Sequence, residues 1–334
     1  SKTLKMILNK RATYKRLRSE AEDQGLRRVY DCRQNALKWI LVTCFGYLGY
    51  RNARFGKVDA HIAVCAFARD ALLKTVRMAE ERGFEVVHGI VDSLWLRKAG
   101  ASPREYVDFC RAVSKEIGVE LNVEGRYRWI VFLPSRMHVG VPVLNRYYGV
   151  FESGKTKVRG IEAVKRDTPL FIRRAQMDMI GVLSKASNAE VFMKRVPDAV
   201  EVLRGYVEKL RNRDVDVRDL IVSKRLSMHP DRYAHDVFQA IAAKQLVKAG
   251  IEVSGGQTVC YLITDAKNRK ANKRVKAAEL VNTETRCYVE KYVDMLILAG
   301  ANILSPFGYT EEALKDQIVY GARQTMLKPV LTLT

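Results

Sequence analysis

Apolar and polar positions follow three different rhythms along this chain. From residue 2 to about 55, apolar residues recur at helical spacing among many basic ones, which predicts two helices joined near Gln24-Gly25. Helical spacing resumes at Val58 and runs to about Arg82, with an apolar face expected to be core. The rhythm then changes. Residues 84 to 97 (Phe84 through His88, Gly89, Asp92 and Trp95 to Arg97) read as an apolar strand, a tight turn presenting one carboxylate, and a second apolar strand. β-Branched and aromatic residues fill both arms, and Gly is expected at the bend. Further strands are predicted at 127–133 and 146–151, followed by a segment at 157–167. Beyond Met177 the pattern is mainly helical, with one short strand at 258–264. These elements predict an α+β, multidomain fold with three regions: helical over 1–55, mixed over 56–176 and mainly helical over 177–334.

Composition narrows the function. A chain of 334 residues buries a substantial core and is expected to divide into two or three domains. Its 58 Lys and Arg against 37 Asp and Glu give a net charge of +21, which points to a polyanionic partner, most simply nucleic acid. No uninterrupted apolar stretch reaches membrane-spanning length and no charged-then-apolar signal segment opens the sequence, so a soluble, cytoplasmic and nucleoid-associated protein is expected. Cys32, Cys44, Cys65, Cys110, Cys260 and Cys287 form no Cys-x-x-Cys pair and read as reduced, small hydrophobes; the five His show no zinc-protease spacing either.

Candidate chemistry concentrates at a few positions. Asp92 at the predicted turn is placed to face a metal ion, although an Asp-Ser pair at a strand turn also reads as a side-chain-capped bend. Arg11 and Lys15 sit four apart and project from one helix face, where Lys38 on the returning helix is able to join them. Three such cations suit a triphosphate, Arg as a bidentate fork and Lys as a compact charge; the plainer reading is a solvated basic face. After the 258–264 strand come Lys267, Arg269, Lys270, Lys273, Arg274 and Lys276, either a solvated loop or a phosphate-contact patch. If such a patch neutralises about six phosphates, log K falls against log salt with a slope of roughly −5.

Two motifs in order resemble family B DNA polymerases. The fingers helix of that family carries Lys-x-x-x-Asn-Ser-x-Tyr-Gly, which stands here as Lys38-x-x-x-Val42-Thr43-x-Phe45-Gly46, with Gly46-Tyr47 and Gly49-Tyr50 as the family has them. The palm hairpin Tyr-Gly-Asp-Thr-Asp-Ser stands as His88-Gly89-Ile90-Val91-Asp92-Ser93, about forty residues later. The segment from Arg146-Tyr147 resembles the Lys-Lys-x-Tyr strand that holds the primer end, with Leu144 and Asn145 where lysines are usual. Arg159-Gly160-Ile161-Glu162 to Arg166-Asp167 is similar to the Arg-Gly-x-Glu-x-x-x-Arg-Asp element. The resemblance assigns the three regions as fingers, palm and thumb. It places nucleotide binding at Arg11, Lys15, Lys38, Val42 and Phe45, and metal binding and catalysis at Asp92. DNA contacts are implied at Arg146, Tyr147, Arg159, Lys267, Arg269, Lys270, Lys273 and Arg274. Gln324, Leu327, Val330 and Leu331 lie in a tail similar to the sliding-clamp box that ends many archaeal members, with Val330 in place of the usual aromatic anchor.

The activity implied is attack of a primer 3′-hydroxyl on the α-phosphate of a dNTP, directed by a DNA template and assisted by two Mg²⁺ ions. Two departures bear on it. Ile90 replaces the first acid of the hairpin, and Val42 and Phe45 replace Asn and Tyr in the fingers. The family's other essential Asp lies on a strand before the fingers, and the sequence is expected to start after that strand. Two explanations follow: a split polymerase in which a larger subunit, carrying the exonuclease domain, supplies the missing Asp, or a fragment or inactivated relative that serves as a DNA-binding accessory. Arg11, Lys15, Lys38 and Asp92 together favour the catalytic reading, because DNA binding alone does not require them.

Overall fold

A computed structural model describes residues 2–135 and 141–321. The chain forms two compact units that meet in sequence at Val123/Glu124, a boundary that none of the three predicted regions has.

The first unit opens with two long helices, α1 (Lys2–Glu20) and α2 (Gln24–Leu48). Asp23 caps α2 by accepting the Leu26 N–H at 2.7 Å, which places the predicted break at 21–23. Stacking of Tyr14 on Tyr30 (6.1 Å between centroids) and the Arg18–Asp31 ion pair (3.1 Å) lock α1 and α2 into an antiparallel hairpin. Within α2, Gln34 and Asn35 also donate to Asp31 and so orient the carboxylate that Arg18 of α1 meets. Then come α3 (Val58–Glu81), the antiparallel strands β1 (Glu85–Ile90) and β2 (Ser93–Arg97), and α4 (Pro103–Ile117). Helix α4 starts where Ser102 and Glu105 form a reciprocal capping box with Pro103 behind them, and stops at the left-handed Gly118. The core of this unit is small: Ala79, Phe84, Phe109 and Val113, flanked by Met78, Val86 and Leu96.

The second unit holds two three-stranded antiparallel sheets and a helical core. Strands β3 (Tyr127–Pro134), β4 (Pro142–Phe151) and β5 (Thr156–Arg159) form the first sheet with β4 in the middle. Helices α5 (Leu170–Leu183) and α6 (Ala189–Arg211) follow. Next are β6 (Val222–Arg225), α7 (Phe238–Lys248), β7 (Thr258–Ile263) and β8 (Val275–Ala277), then α8 (Val289–Leu304) and α9 (Glu311–Val319). The predicted strand at 258–264 is thus the central strand of a sheet, paired to β6 and β8. One continuous core runs from Leu133 and Tyr148 of the first sheet through α5, α6 and α8 to Ile318. Tyr148 is fully buried and donates its hydroxyl to the Ile303 carbonyl of α8 at 2.9 Å, tying sheet to helices, and burial pushes that phenol well above the usual tyrosine range. Truncating a core residue such as Leu203 to Ala removes about 2–5 kcal/mol of stability.

Candidate active site and nucleic-acid face

The bend of the β1–β2 hairpin is two residues long, Val91-Asp92, because Ile90 pairs directly with Ser93. The expected Gly at the bend is therefore displaced: Gly89 lies inside β1, where an added Cβ would come within 3.0 Å of Leu94 Cδ2. Val91 takes φ = 53°, a left-handed backbone that a β-branched residue rarely adopts, and its side chain is 74% exposed. Asp92 is exposed at the tip and accepts the Ser93 hydroxyl at 3.2 Å. Behind it the hairpin is anchored by the buried His88 packed edge-on against Trp95 (5.0 Å) and by the Arg97–Glu85 pair (2.7 Å). This is a rigid stem that offers one carboxylate outward.

Two divalent cations need several hard oxygen ligands. Among the described residues, no three His, Cys, Asp or Glu side chains stand together to hold a metal ion. The residues present therefore fit one ligand of a magnesium site and not a pair of ions. Asp92 is the carboxylate that the hairpin tip presents.

The cations assigned to a triphosphate lie on the helical hairpin. Arg11 and Lys15 are on α1, Lys38, Val42 and Phe45 on α2. Lys15 and Lys38 are exposed, while the Arg11 Nε is buried with no hydrogen-bond partner among the described residues. An unsatisfied guanidinium nitrogen is costly unless a ligand completes it. Val42 is 51% exposed. Phe45 stacks on His61 of α3 at 4.3 Å, and the His61 Nδ1 lies 3.2 Å from the Phe45 carbonyl oxygen. Gly49 faces the same imidazole, where a Cβ would meet the ring at 3.1 Å, so the end of α2 seats against α3 through His61. The sequence reading overlooked His61 because a lone His at helical spacing carries no motif.

In the second unit the nucleic-acid candidates fall in two places. Arg146 and Tyr147 lie on β4 and Arg159 ends β5 opposite Tyr147. The β3–β4 register slips between Phe132 and Pro134, so β4 bulges next to Arg146. Tyr147 is buried against Phe132 (5.7 Å), whereas Arg159 is exposed. The basic run forms the β7–β8 connection and is a built loop. Asn268 donates to Asp265 at 2.8 Å and accepts the Lys270 N–H at 2.9 Å, and the Thr264 hydroxyl donates to the Lys273 carbonyl at 2.8 Å. Lys267, Arg269, Lys270 and Lys273 face solvent, while Arg274 folds back to donate from Nε to the Asn268 carbonyl at 2.8 Å. Lys276 is on β8 and donates to Thr285 at 3.1 Å. Gln324, Leu327, Val330 and Leu331 lie outside the described residues.

A family model described as DNA polymerase family B matches residues 1–307. The chain belongs to DNA polymerase family B. Its relatives include DNA polymerase 2 of Aeropyrum pernix, 30% identical over 97% of this chain and 38% of that polymerase. DNA polymerase 2 of Saccharolobus solfataricus is 34% identical over 54% of this chain and 27% of its own length. Among solved structures, the family B DNA polymerase of the hyperthermophilic archaeon Pyrobaculum calidifontis superposes with a TM-score of 0.56 at 27% identity, covering 90% of this chain and 37% of that one. The α+β architecture of helices with small antiparallel sheets is thus the family B fold. The chain spans about two fifths of the length of the Aeropyrum and Pyrobaculum polymerases. Among the described residues, no helix is long and apolar enough to cross a membrane.

Proposed function

We propose that this chain is the fingers-to-thumb part of a DNA-directed DNA polymerase, working only when joined by the rest of the family's length on a second, larger polypeptide. The observation that carries this reading is the outward Asp92 at the tip of the β1–β2 hairpin, with no second and third metal-ligating side chain beside it to complete a metal site among the described residues. In the assembled site Mg²⁺ would supply the charge stabilisation that nucleotidyl transfer needs. Asp92 would be one ligand, with the remaining carboxylates contributed from outside this chain. Arg11, Lys15 and Lys38 would bind the triphosphate of the incoming dNTP, and the open Arg11 Nε supports that role. Val42 and Phe45 would line the nucleotide side, Phe45 held by its stack on His61. Arg146, Tyr147, Arg159 and the β7–β8 loop would hold primer–template DNA by its backbone, independent of sequence. The tail around Gln324 and Leu331 would reach a sliding clamp, and the assembly would work at the nucleoid.

The apolar surface of α3 supports the larger partner. Its first half carries Val58, Ile62, Val64 and Phe67, all exposed and Phe67 at 76%, alongside Asp59 and His61; so many exposed apolar side chains on one helix are normally covered. The β1–β2 ribbon likewise pairs with no third strand among the described residues.

Ile90 favours a second reading, a non-catalytic DNA-binding subunit. Primer extension with Mg²⁺ and four dNTPs separates the two, comparing the chain alone, the chain with the polypeptide corresponding to the unmatched part of its relatives, and that mixture with Asp92→Asn. Extension only in the mixture, lost with the substitution, is the expected result. A mixture that assembles and binds DNA without extending a primer would refute the catalytic reading.

A further inference from the structure

Residues 159–167 cross from surface to core and back. Arg159 is exposed at the end of β5. Gly160 then turns at φ = 65°, with the Asn145 carbonyl oxygen only 2.3 Å from where a Cβ would sit, so the bulged β4 leaves room for glycine alone. Ile161, Glu162 and Ala163 are buried in and around a single 3₁₀ turn, and Lys165 and Arg166 return to solvent. Two stretches of exposed cations thus flank a buried acidic pivot.

A polar network holds that pivot. Gln176 of α5 is wholly buried; its oxygen accepts the Ala163 N–H at 2.7 Å. Its amide nitrogen donates to the Ala299 carbonyl of α8 at 2.7 Å and to the Glu162 carboxylate at 3.0 Å. Glu162 also receives the Lys165 ammonium at 2.9 Å, and Arg173 donates to the Ala163 carbonyl at 3.1 Å. Every hydrogen-bonding atom of the Gln176 amide is engaged, which fixes its orientation. A satisfied buried network specifies one arrangement where an apolar contact would allow sliding.

We propose that Gln176, acting through Glu162, is a positioning residue that holds Arg159 and Arg166 in place to grip duplex phosphates. This rests on the DNA-binding reading of that face. The network joins the 3₁₀ turn that follows β5 to α5 and α8, so the path of the segment carrying the cations is set by the helical core.

The test uses the full chain with Gln176→Met, Glu162→Gln and Arg159→Ala, alone and combined. In the free chain, amide exchange over 159–166 should speed by more than ~10-fold in Gln176→Met while α6 and β7 keep their protection. Glu162→Gln, which preserves volume, should do the same more weakly. Binding to a fluorescent primer–template is then measured across a salt series. Arg159→Ala should shallow the slope of log K against log salt by ~1 in the native background and change it no further in Gln176→Met. An Arg159→Ala effect of equal size in both backgrounds, with exchange unchanged, would overturn the positioning role. No Arg159→Ala effect in the native background would instead overturn the DNA-binding reading of this face.

Discussion

Val91 sets the geometry on which Asp92 depends, and it does so against its own preference. A β-branched residue at φ = 53° is strained by ~1–2 kcal/mol, and such strain is typically retained where surrounding structure or function requires it. Val91→Asn relaxes the backbone while keeping the two-residue bend, and should stabilise the first unit by ~1 kcal/mol, read from denaturant unfolding. An unchanged or lower midpoint would mean the turn is not strained as described. At this scale the sequence was partly legible. The apolar arms located Asp92, but Gly89 was drawn to the bend because glycine is the default turn residue; packing of Leu94 across the strand explains its true place. Gln176 was invisible for a different reason: its partners Ala163 and Ala299 lie 13 and 123 residues away, and no local pattern announces such a meeting.

Among elements, the 3₁₀ turn at Glu162–Val164 carries a pH dependence of its own. Burial raises the Glu162 pKa, but hydrogen bonds from Lys165 and Gln176 outweigh it and hold the carboxyl below its usual 4.5. A folded-state pKa below the unfolded one contributes stability that is complete above pH 4.5 and lost as pH falls through the lower folded value. Asp167, held low by its bond to Lys224, acts in the same direction. Melting of the second unit should therefore drop on acidification below about pH 4.5, and Glu162→Gln should flatten that dependence. A pH profile identical in the variant would show that Glu162 titrates alike in folded and unfolded chains. Helix and strand types were readable from periodicity over long segments such as α3 and β3. The ordered β7–β8 loop was not, since its order comes from side-chain-to-backbone bonds around Asn268.

On the scale of the whole molecule the two units differ sharply in what they bury. The second has a continuous core from Leu133 to Ile318, while the first relies on Ala79, Phe84, Phe109 and Val113. The three-region reading followed function by resemblance, whereas compactness follows the apolar core, and the core draws β3–β5 together with the helices after Met177. If α3 is the seat of a larger partner, Phe67→Glu should abolish co-purification with that polypeptide and leave the circular dichroism of the isolated chain unchanged, because Phe67 is 76% exposed. Retained co-purification would move the interface elsewhere.

The sides of the β1–β2 ribbon that meet no third strand among the described residues have a consequence inside a cell. Exposed strand edges recruit other strands without regard to identity, and a weakly buried unit opens often. If the proposed larger companion exists, a copy made in excess of it would be captured by chaperones or degraded, so the supply of the two chains would be matched by the removal of orphans and not by the rate at which each is synthesised.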